Sequence, residues 1–349
     1  EESARGLWGG VWDRTGGPGA QRADVVMLGR PSSRQPVGGG WYDSLLDPIA
    51  DALEAGGHTC SMLEYRSTLL RYRLPRHRPA VVVRPRLLER RVRAQIEDAV
   101  RMRQATALEG YAEFARAVAK RYPAVAVPGP FWLARRMRDV EAIASYFEEV
   151  LATARPRLAL CTPYYNAVGF GFCLAAARLG ILSVDVQHGV TRGNPAYDRW
   201  TSFPSGGYAL LPDRVWCWSA LDAAPIDAWS SGDRTSPPHR PIVGGHPWHA
   251  YWDRPGARHP NLAALPRGER TVLVSLTWSS AWSDALRQIV RAAPPSWAFW
   301  IRLHPLMHHE RRSIVQWCDA YNRQHAGAAP EVKGATELPL PPLLQKDHR

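Results

Sequence analysis

The sequence predicts an α/β protein built on two parallel sheets, each covered by helices. Three observations lead there. A strand–helix–strand order opens the chain, recurs in its middle and starts again near its end. The strand-like runs are short and apolar, whereas the stretches between them carry apolar residues at helical spacing. Between residues 253 and 268 stand Pro255, Gly256, Pro260, Pro266 and Gly268, which read as a linker between two domains. Two such domains imply a cleft lined by the carboxyl ends of both sheets.

The elements follow in order. Residues 1–22 are rich in glycine without periodicity and read as a loose arm. DVVMLG (24–29) is a buried strand, followed by a loop containing Gly38, Gly39 and Gly40. DPIADALEAGG reads as a helix with Asp47 as its cap, Pro48 in the first turn and Gly56 closing it. HTCSMLEY (58–65) is the next strand. Helical spacing runs from about Leu87 to Arg121, and a further helix from about Trp132 to Ala154. RLALCTPYY (157–165), an apolar helix from about Ala167 to Leu179, and SVDVQH (183–188) make a second βαβ unit. VWCWS (215–219) and PIVGG (241–245) are strand-like inside a looser region. Beyond the linker, TVLVSLTW (271–278), a helix at about 283–293, WAFWIRL (297–303) and a helix at about 309–325 complete a third. The expected division is an N-terminal domain with its following connection at 23–252, the linker at 253–268, and a C-terminal domain at 269–349. That last domain, about 80 residues, is shorter than the ~100–150 typical of a domain and reads as incomplete.

The 349 residues are 45% hydrophobic and 22% charged, a globular composition. No run approaches the roughly 18 apolar residues a membrane-spanning helix needs, and no signal peptide is visible. The chain does not begin with Met, as in a processed form or a fragment. Five widely spaced cysteines without a CxxC pair predict reduced thiols and a cytoplasmic protein. The net charge of +12 comes mostly from arginine, twelve of which lie between Arg66 and Arg103, where the local net is +9. That segment is either a solvated arginine-rich face or a patch for an anionic partner such as a membrane surface. Nucleic acid is not expected, because no binding motif accompanies the charge and the aromatic residues are not interleaved with it.

Two stretches concentrate the chemistry. His188 ends a strand-like run and is followed by Gly189, where the chain turns. Strand ends of this kind line ligand crevices, and a neutral imidazole there is suited to take a proton from a hydroxyl. A structural histidine with a satisfied ring is the plainer alternative. Arg302 and His304 lie two apart in WIRLHP, hence on one strand face, and Pro305 leads into a helix. A cationic pair beside a helix start suits a diphosphate. A surface arginine and a capping histidine would read the same way. Gly38, Gly39 and Gly40 make either a flexible loop or a close backbone approach to an acceptor. Trp278 and Trp282 are either core aromatics or a stacking surface for a base or sugar. His304, His308, His309 and Glu310 lack the order of known helical zinc sites, so no metal is expected, nor any cofactor.

The order of motifs then resembles a family. WYDSLLDPIADALEAGGH, VQHGV, LPDRVWCWS, IVGGHP, VLVSL, WIRLHP and ELPLPPLL follow one another over residues 24–345. This is similar to the GT-B transferases of bacterial surface and capsular polysaccharides, among them capsule Kdo transferases, polysialyltransferases and CDP-glycerol glycerophosphotransferases. The resemblance implies two Rossmann-like domains, an acceptor side first and a nucleotide donor side second, and metal-independent chemistry. It makes His188 a catalytic base or acceptor-side residue and places Arg302 and His304 on the donor phosphate. It implies a nucleotide-activated donor, a polysaccharide or lipid-linked acceptor, and work at the inner face of the plasma membrane. In such proteins the leucine pair is followed by a strand, a Ser-containing phosphate loop and an acidic helix, whereas this sequence ends at LLQKDHR. A nucleotide-sugar epimerase of the same architecture and a non-catalytic nucleotide- or glycan-binding protein are the competing functions.

Overall fold

The computed structural model describes residues 21–37, 39–65, 76–83, 86–93, 108–198, 200, 206–230, 239–254, 265–276, 282–303, 310–326 and 329–334. The chain forms two compact units, Glu1–Pro247 and Trp248–Arg349. Most of the stretch at 253–268 lies outside the described residues.

The first unit is organised by a parallel seven-stranded sheet. Its strands are β1 (Val25–Gly29), β4 (Cys60–Glu64), β5 (Ala80–Val82), β6 (Leu158–Cys161), β7 (Leu182–Val186), β8 (Arg214–Cys217) and β9 (Arg240–Val243). Their order is β5-β4-β1-β6-β7-β8-β9, and every pairing is parallel. The chain starts at β1, moves out to β4 and β5, then returns to lay β6 on the other side of β1. The strand order therefore reverses between β1 and β6, and open sheets of this type bind ligands outside the carboxyl ends of their strands at such a point.

Apolar side chains drive both faces of this sheet. VVMLG is buried along its whole length because β1 is covered on both sides. On one face Leu28, Ala159, Cys161 and Val215 meet a helical layer. That layer contains α3 (Pro130–Ala154) and α4 (Ala167–Arg178). Ile143, Phe147, Val150, Leu151 and Ala154 recur at helical spacing along α3 and form its buried stripe. Phe147 meets Phe172 of α4 edge-on, with ring centroids 5.1 Å apart. Gly171 makes that approach feasible, since a Cβ there would stand 2.5 Å from Ile143 Cγ2. On the other face Met27, Leu160, Val184 and Val186 pack with Leu46, Ile49 and Ala50 around α1 (Asp47–Ala55).

Several local expectations are corrected. The glycine-containing loop after β1 is a hairpin of β2 (Arg34–Val37) and β3 (Gly40–Asp43), paired antiparallel. Gly39 stands in its turn with φ +80°, a conformation side chains rarely adopt. Asp47 is the first residue of α1 and not its cap; the Asp43 carboxylate accepts from the Leu45 and Leu46 amides just before it. The helical spacing from Leu87 to Arg121 is interrupted at Gly110, φ +73°, after which α2 (Tyr111–Arg121) begins. β5 emerges from within the arginine-rich segment, and α5 (Ala220–Ser230) from the region read as loose.

Buried ion pairs fix the hairpin to the sheet. Arg34 Nε donates to Glu64 at 2.8 Å and Arg76 reaches the same carboxylate at 3.1 Å. Arg78 reaches Asp47 at 3.3 Å and Asp51 at 2.9 Å, and also meets Glu54. On the opposite helices Arg90 pairs with Glu149 at 2.6 Å and Arg91 with Asp139 at 2.9 Å. Much of the described part of the arginine-rich segment is therefore engaged within the fold.

The second unit carries a parallel three-stranded sheet, β10 (Arg270–Ser275), β11 (Trp297–Arg302) and β12 (Glu331–Gly334), in the order β10-β11-β12. Helix α6 (Pro247–Trp252) stands at the unit boundary. α7 (Asp284–Ala292) is capped by the Ser283 hydroxyl, and α8 (Arg311–Gln324) follows β11. Phe299, Ile301, Ile314, Cys318, Tyr321 and Val332 form the core. Asn322 exchanges two hydrogen bonds with the Val332 backbone, 2.7 and 3.0 Å, and so ties β12 to α8. All five cysteines are free, and no helix among the described residues is long and apolar enough to cross a membrane.

Candidate active site

The carboxyl ends of β1, β6, β7 and β8 stand side by side, because these strands are neighbours in the sheet. Arg30 leaves β1, Thr162 to Tyr165 leave β6, Gln187 and His188 leave β7, and Trp218 leaves β8. Register fixes this row. Leu28 is level with Cys161, Cys161 with Asp185, and Asp185 with Val215.

Gln187 prepares the position of His188. It is fully buried; its Oε1 accepts from the Trp218 amide at 2.7 Å and its Nε2 donates to the Gly189 carbonyl at 2.8 Å. One side chain thus joins two strand ends and folds the backbone around the imidazole. Gly189 itself has open space where a Cβ would stand and no positive φ, so neither crowding nor backbone conformation requires glycine there.

His188 Nε2 lies 2.8 Å from the Tyr165 hydroxyl. The Tyr165 ring is held edge-on by Tyr164 and Tyr197, with centroids 5.6 Å from each. Burial, and secondarily the positive charge of Arg30, pull the His188 pKa down to about 4; the Val186 backbone opposes this weakly. The ring is neutral at pH 7. Its Nδ1 is buried without a hydrogen bond of normal geometry.

Asp185, in β7 three residues before His188, is fully buried. Tyr197 Oη donates to it at 2.6 Å and the Tyr164 amide at 2.9 Å. Burial pushes its pKa up to about 7 in spite of both bonds and the Arg30 charge. The carboxylate joins the loop after β6 to the segment containing Tyr197, and so steadies the aromatic frame around Tyr165. A raised carboxyl and a depressed imidazole, three residues apart in sequence, are the kind of perturbed groups that gather at functional sites.

The other sequence-derived residues fall differently. Arg302 ends β11, level with Ser275, and is half-buried; burial lowers its pKa from the ordinary arginine value. His304, Trp278 and Gly38 lie outside the described residues. Trp282 takes the core alternative, with 5% exposure and its ring edge-on to Trp317 at 5.0 Å. Gly39 stands in the β2–β3 turn and Gly40 opens β3, level with Val37. Among the described residues no three His, Cys, Asp or Glu side chains converge as metal ligands would.

Sequence reasoning reached His188 but missed Tyr165, Asp185, Gln187 and Arg30. The aromatic pair in CTPYY, directly after a buried strand, was the available signal for Tyr165.

Fold and site together define an open-sheet α/β protein with polar groups gathered outside the carboxyl ends of its parallel strands. No family model matches the sequence, and no curated protein does. Among solved structures, UDP-GlcNAc 2-epimerase from Neisseria meningitidis bound to UDP-GlcNAc is similar at 13% identity and TM-score 0.46, over 91% of this chain and 73% of that one. UDP-GlcNAc 2-epimerase from Methanocaldococcus jannaschii is similar at 10% identity and TM-score 0.46, over 91% and 74%. The lipopolysaccharide outer core galactosyltransferase WaaB, in its apo form, is similar at 10% identity and TM-score 0.40, over 89% and 67%. These likenesses assign no activity to the chain.

Proposed function

We propose that the chain is a metal-independent transferase that moves a sugar, or a related polyol phosphate, from a nucleotide-activated donor to a polysaccharide or lipid-linked acceptor. One observation carries the reading. A neutral imidazole stands past the end of β7, on the sheet edge where ligands bind, with Nε2 engaged by a hydroxyl at 2.8 Å. An acceptor hydroxyl that takes the place of the Tyr165 hydroxyl at Nε2 gives up its proton as its oxygen forms the new bond to the donor. The bond to the donor phosphate breaks, and the nucleotide leaves with the electron pair. The motif order VQHGV…IVGGHP…WIRLHP supports the same reading, since it is the order of the GT-B transferases of bacterial surface polysaccharides. In this scheme Arg302 and His304 offset charge on the departing phosphate.

The reading also puts the chain at an anionic membrane surface through Arg66–Arg103. Six carboxylates from outside that segment, those of Glu64, Asp47, Asp51, Glu54, Glu149 and Asp139, face its described arginines. They lower the local charge from +9 to +3. The expected attachment is therefore reversible, and salt releases it.

The experiment is a thermal-shift screen with CMP, CDP, UDP and GDP, followed by incubation with the sugar nucleotide of the best base. A ligand at a hundred times its Kd stabilises by about 2.7 kcal/mol. Slow donor hydrolysis without acceptor supports the transferase. Formation of an epimer of the donor sugar identifies an epimerase, and binding without turnover identifies a non-catalytic module.

A further inference from the structure

Helix α2 has an apolar stripe and no core beneath it. Tyr111, Phe114, Val118 and Tyr122 recur at helical spacing and share one face, the pattern of a helix that covers a core. None of the helix's eleven residues is buried. The same holds from Leu108 through Arg138, a stretch that includes the first nine residues of α3. The buried stripe of α3 begins only at Asp139. Phe114, Tyr122, Val125, Phe131, Trp132 and Met137 are each between 47% and 60% exposed. Tyr111 Oη donates to the Pro128 carbonyl at 3.0 Å, which brings the start of α2 beside the start of α3. The apolar side chains of the two helices therefore belong to one surface.

Cations stand among these side chains. Between 108 and 138 there are six Lys and Arg against Glu109 and Glu113, a net of +4. Arg116, Lys120, Arg121 and Arg135 form no ion pair among the described residues. Arg76, Arg78, Arg90 and Arg91 of the arginine-rich segment, by contrast, each end on a carboxylate. Topology places the surface. Ala154, the last residue of α3, accepts from the Ala23 amide at 3.1 Å, beside the start of β1. Ile143 meets Gly171 near the start of α4, which follows the carboxyl end of β6. α3 therefore runs from the carboxyl edge of the sheet to its amino edge. Its 25 residues span about 37 Å against about 13 Å for the four of β6. Its first nine residues overshoot the carboxyl edge, the edge that carries His188.

We propose that α2 and the first nine residues of α3 seat the first unit on an anionic lipid surface. Phe114, Phe131 and Trp132 enter the boundary between headgroups and acyl chains, and the flanking cations lie on the phosphates. An exposed apolar surface marks an interaction site. The pairing of an apolar helix face with unpaired Lys and Arg, and aromatic rings beside them, is what a helix lying in a membrane interface requires. A second copy of the chain suits the surface less well, because a two-fold contact sets +4 against +4. A lipid surface supplies the opposite charge. The contact is distinct from Arg66–Arg103, whose described arginines are largely engaged within the fold. That the lipid surface carries the acceptor rests on the transferase reading; the attachment does not.

The test uses the full chain without donor, so its outcome is independent of whether the chain transfers anything. The chain is sedimented with phosphatidylcholine vesicles, with and without phosphatidylglycerol, at low and high salt, and its self-association is followed by sedimentation velocity without lipid. Binding to the phosphatidylglycerol vesicles is expected, weakened by salt. The double variant Phe131→Ser, Trp132→Ser should bind at least fivefold more weakly. Phe114→Ser with Tyr122→Ser supplies the second arm if the first variant does not fold. Arg121→Gln with Arg135→Gln should weaken binding several-fold. Arg86→Gln with Arg93→Gln, inside the arginine-rich segment, should leave it within about twofold of wild type. Binding that falls in that last variant but holds in the folded aromatic variants overturns the proposal and gives the contact to Arg66–Arg103. No binding, or equal binding to phosphatidylcholine alone, overturns it too. Self-association that an aromatic variant abolishes, without lipid binding, assigns the surface to a second copy. The transferase reading stands or falls separately, on the nucleotide screen and donor turnover.

Discussion

The Tyr165 hydroxyl lies 2.8 Å from His188 Nε2. Two rings from different loops thereby meet at the imidazole's Nε2. A neutral ring has one accepting nitrogen, and a hydroxyl that donates to Nε2 leaves the ring proton on Nδ1, beside the Val186 backbone. Nε2 is then the basic atom, already facing an oxygen at hydrogen-bond distance.

Tyr165→Phe removes that donor without emptying the aromatic frame. The expected result is a mixture of ring tautomers in place of one, read from the ¹⁵N shifts of His188. Turnover should fall about tenfold, less than the roughly 10²–10⁴-fold that a placed acid–base group itself contributes, because Tyr165 only orients the imidazole. A single tautomer, unchanged from wild type, would sink this account of Nε2.

His188 and Asp185 should give opposite pH dependences of stability. The unfolded chain protonates His188 as pH falls below 6.5, whereas the folded ring stays neutral down to about 4. Its contribution is full above pH 6.5 and is lost as pH falls through that window. Asp185 runs the other way. The folded carboxyl keeps its proton up to about pH 7, although the unfolded one ionises near 3.8, so its contribution falls as pH rises between those values. Each effect is on the order of a few kcal/mol. Urea unfolding from pH 4 to 7 checks both. Relative to wild type, Asp185→Asn should gain stability with rising pH, and His188→Gln should lose it.

The buried hairpin clamp is expected to be costly to break. Arg34 and Glu64 are both almost wholly buried, 2.8 Å apart. Arg34→Ala leaves the Glu64 carboxylate with only Arg76, and a loss of about 3–5 kcal/mol is expected in chemical denaturation. A loss below about 1 kcal/mol would mean that water reaches the site.

Gly171→Ala tests the α3–α4 contact. A Cβ at 2.5 Å from Ile143 cannot be accommodated without movement, and overpacking of this kind costs about 1–3 kcal/mol. The extra loss should shrink in an Ile143→Ala background, which removes the Cγ2 atom that the new methyl group meets.

What was legible in the sequence follows from burial. β1, β6, β7, β10 and β11 are apolar runs, and each was placed within a residue or two at one end or the other. The β2–β3 hairpin was not, because RQPV and GWYD alternate without an apolar face and are held by Arg34 and Glu64, thirty residues apart. β5 has three apolar residues in an arginine-rich segment, and charge masked it. His188 was visible because a polar residue ends an apolar strand. Its partners were not, since Tyr165 and Arg30 reach that edge only through the order in which the strands assemble.

The central claim is that His188 is the base for the acceptor. The most direct measurement compares wild type and His188→Ala, using the sugar nucleotide found in the nucleotide screen. Donor affinity is taken from thermal shift, and turnover of bound donor from nucleotide release. The expected result is donor affinity nearly intact and turnover at least tenfold lower. Donor affinity that collapses, while turnover of bound donor holds, contradicts the claim.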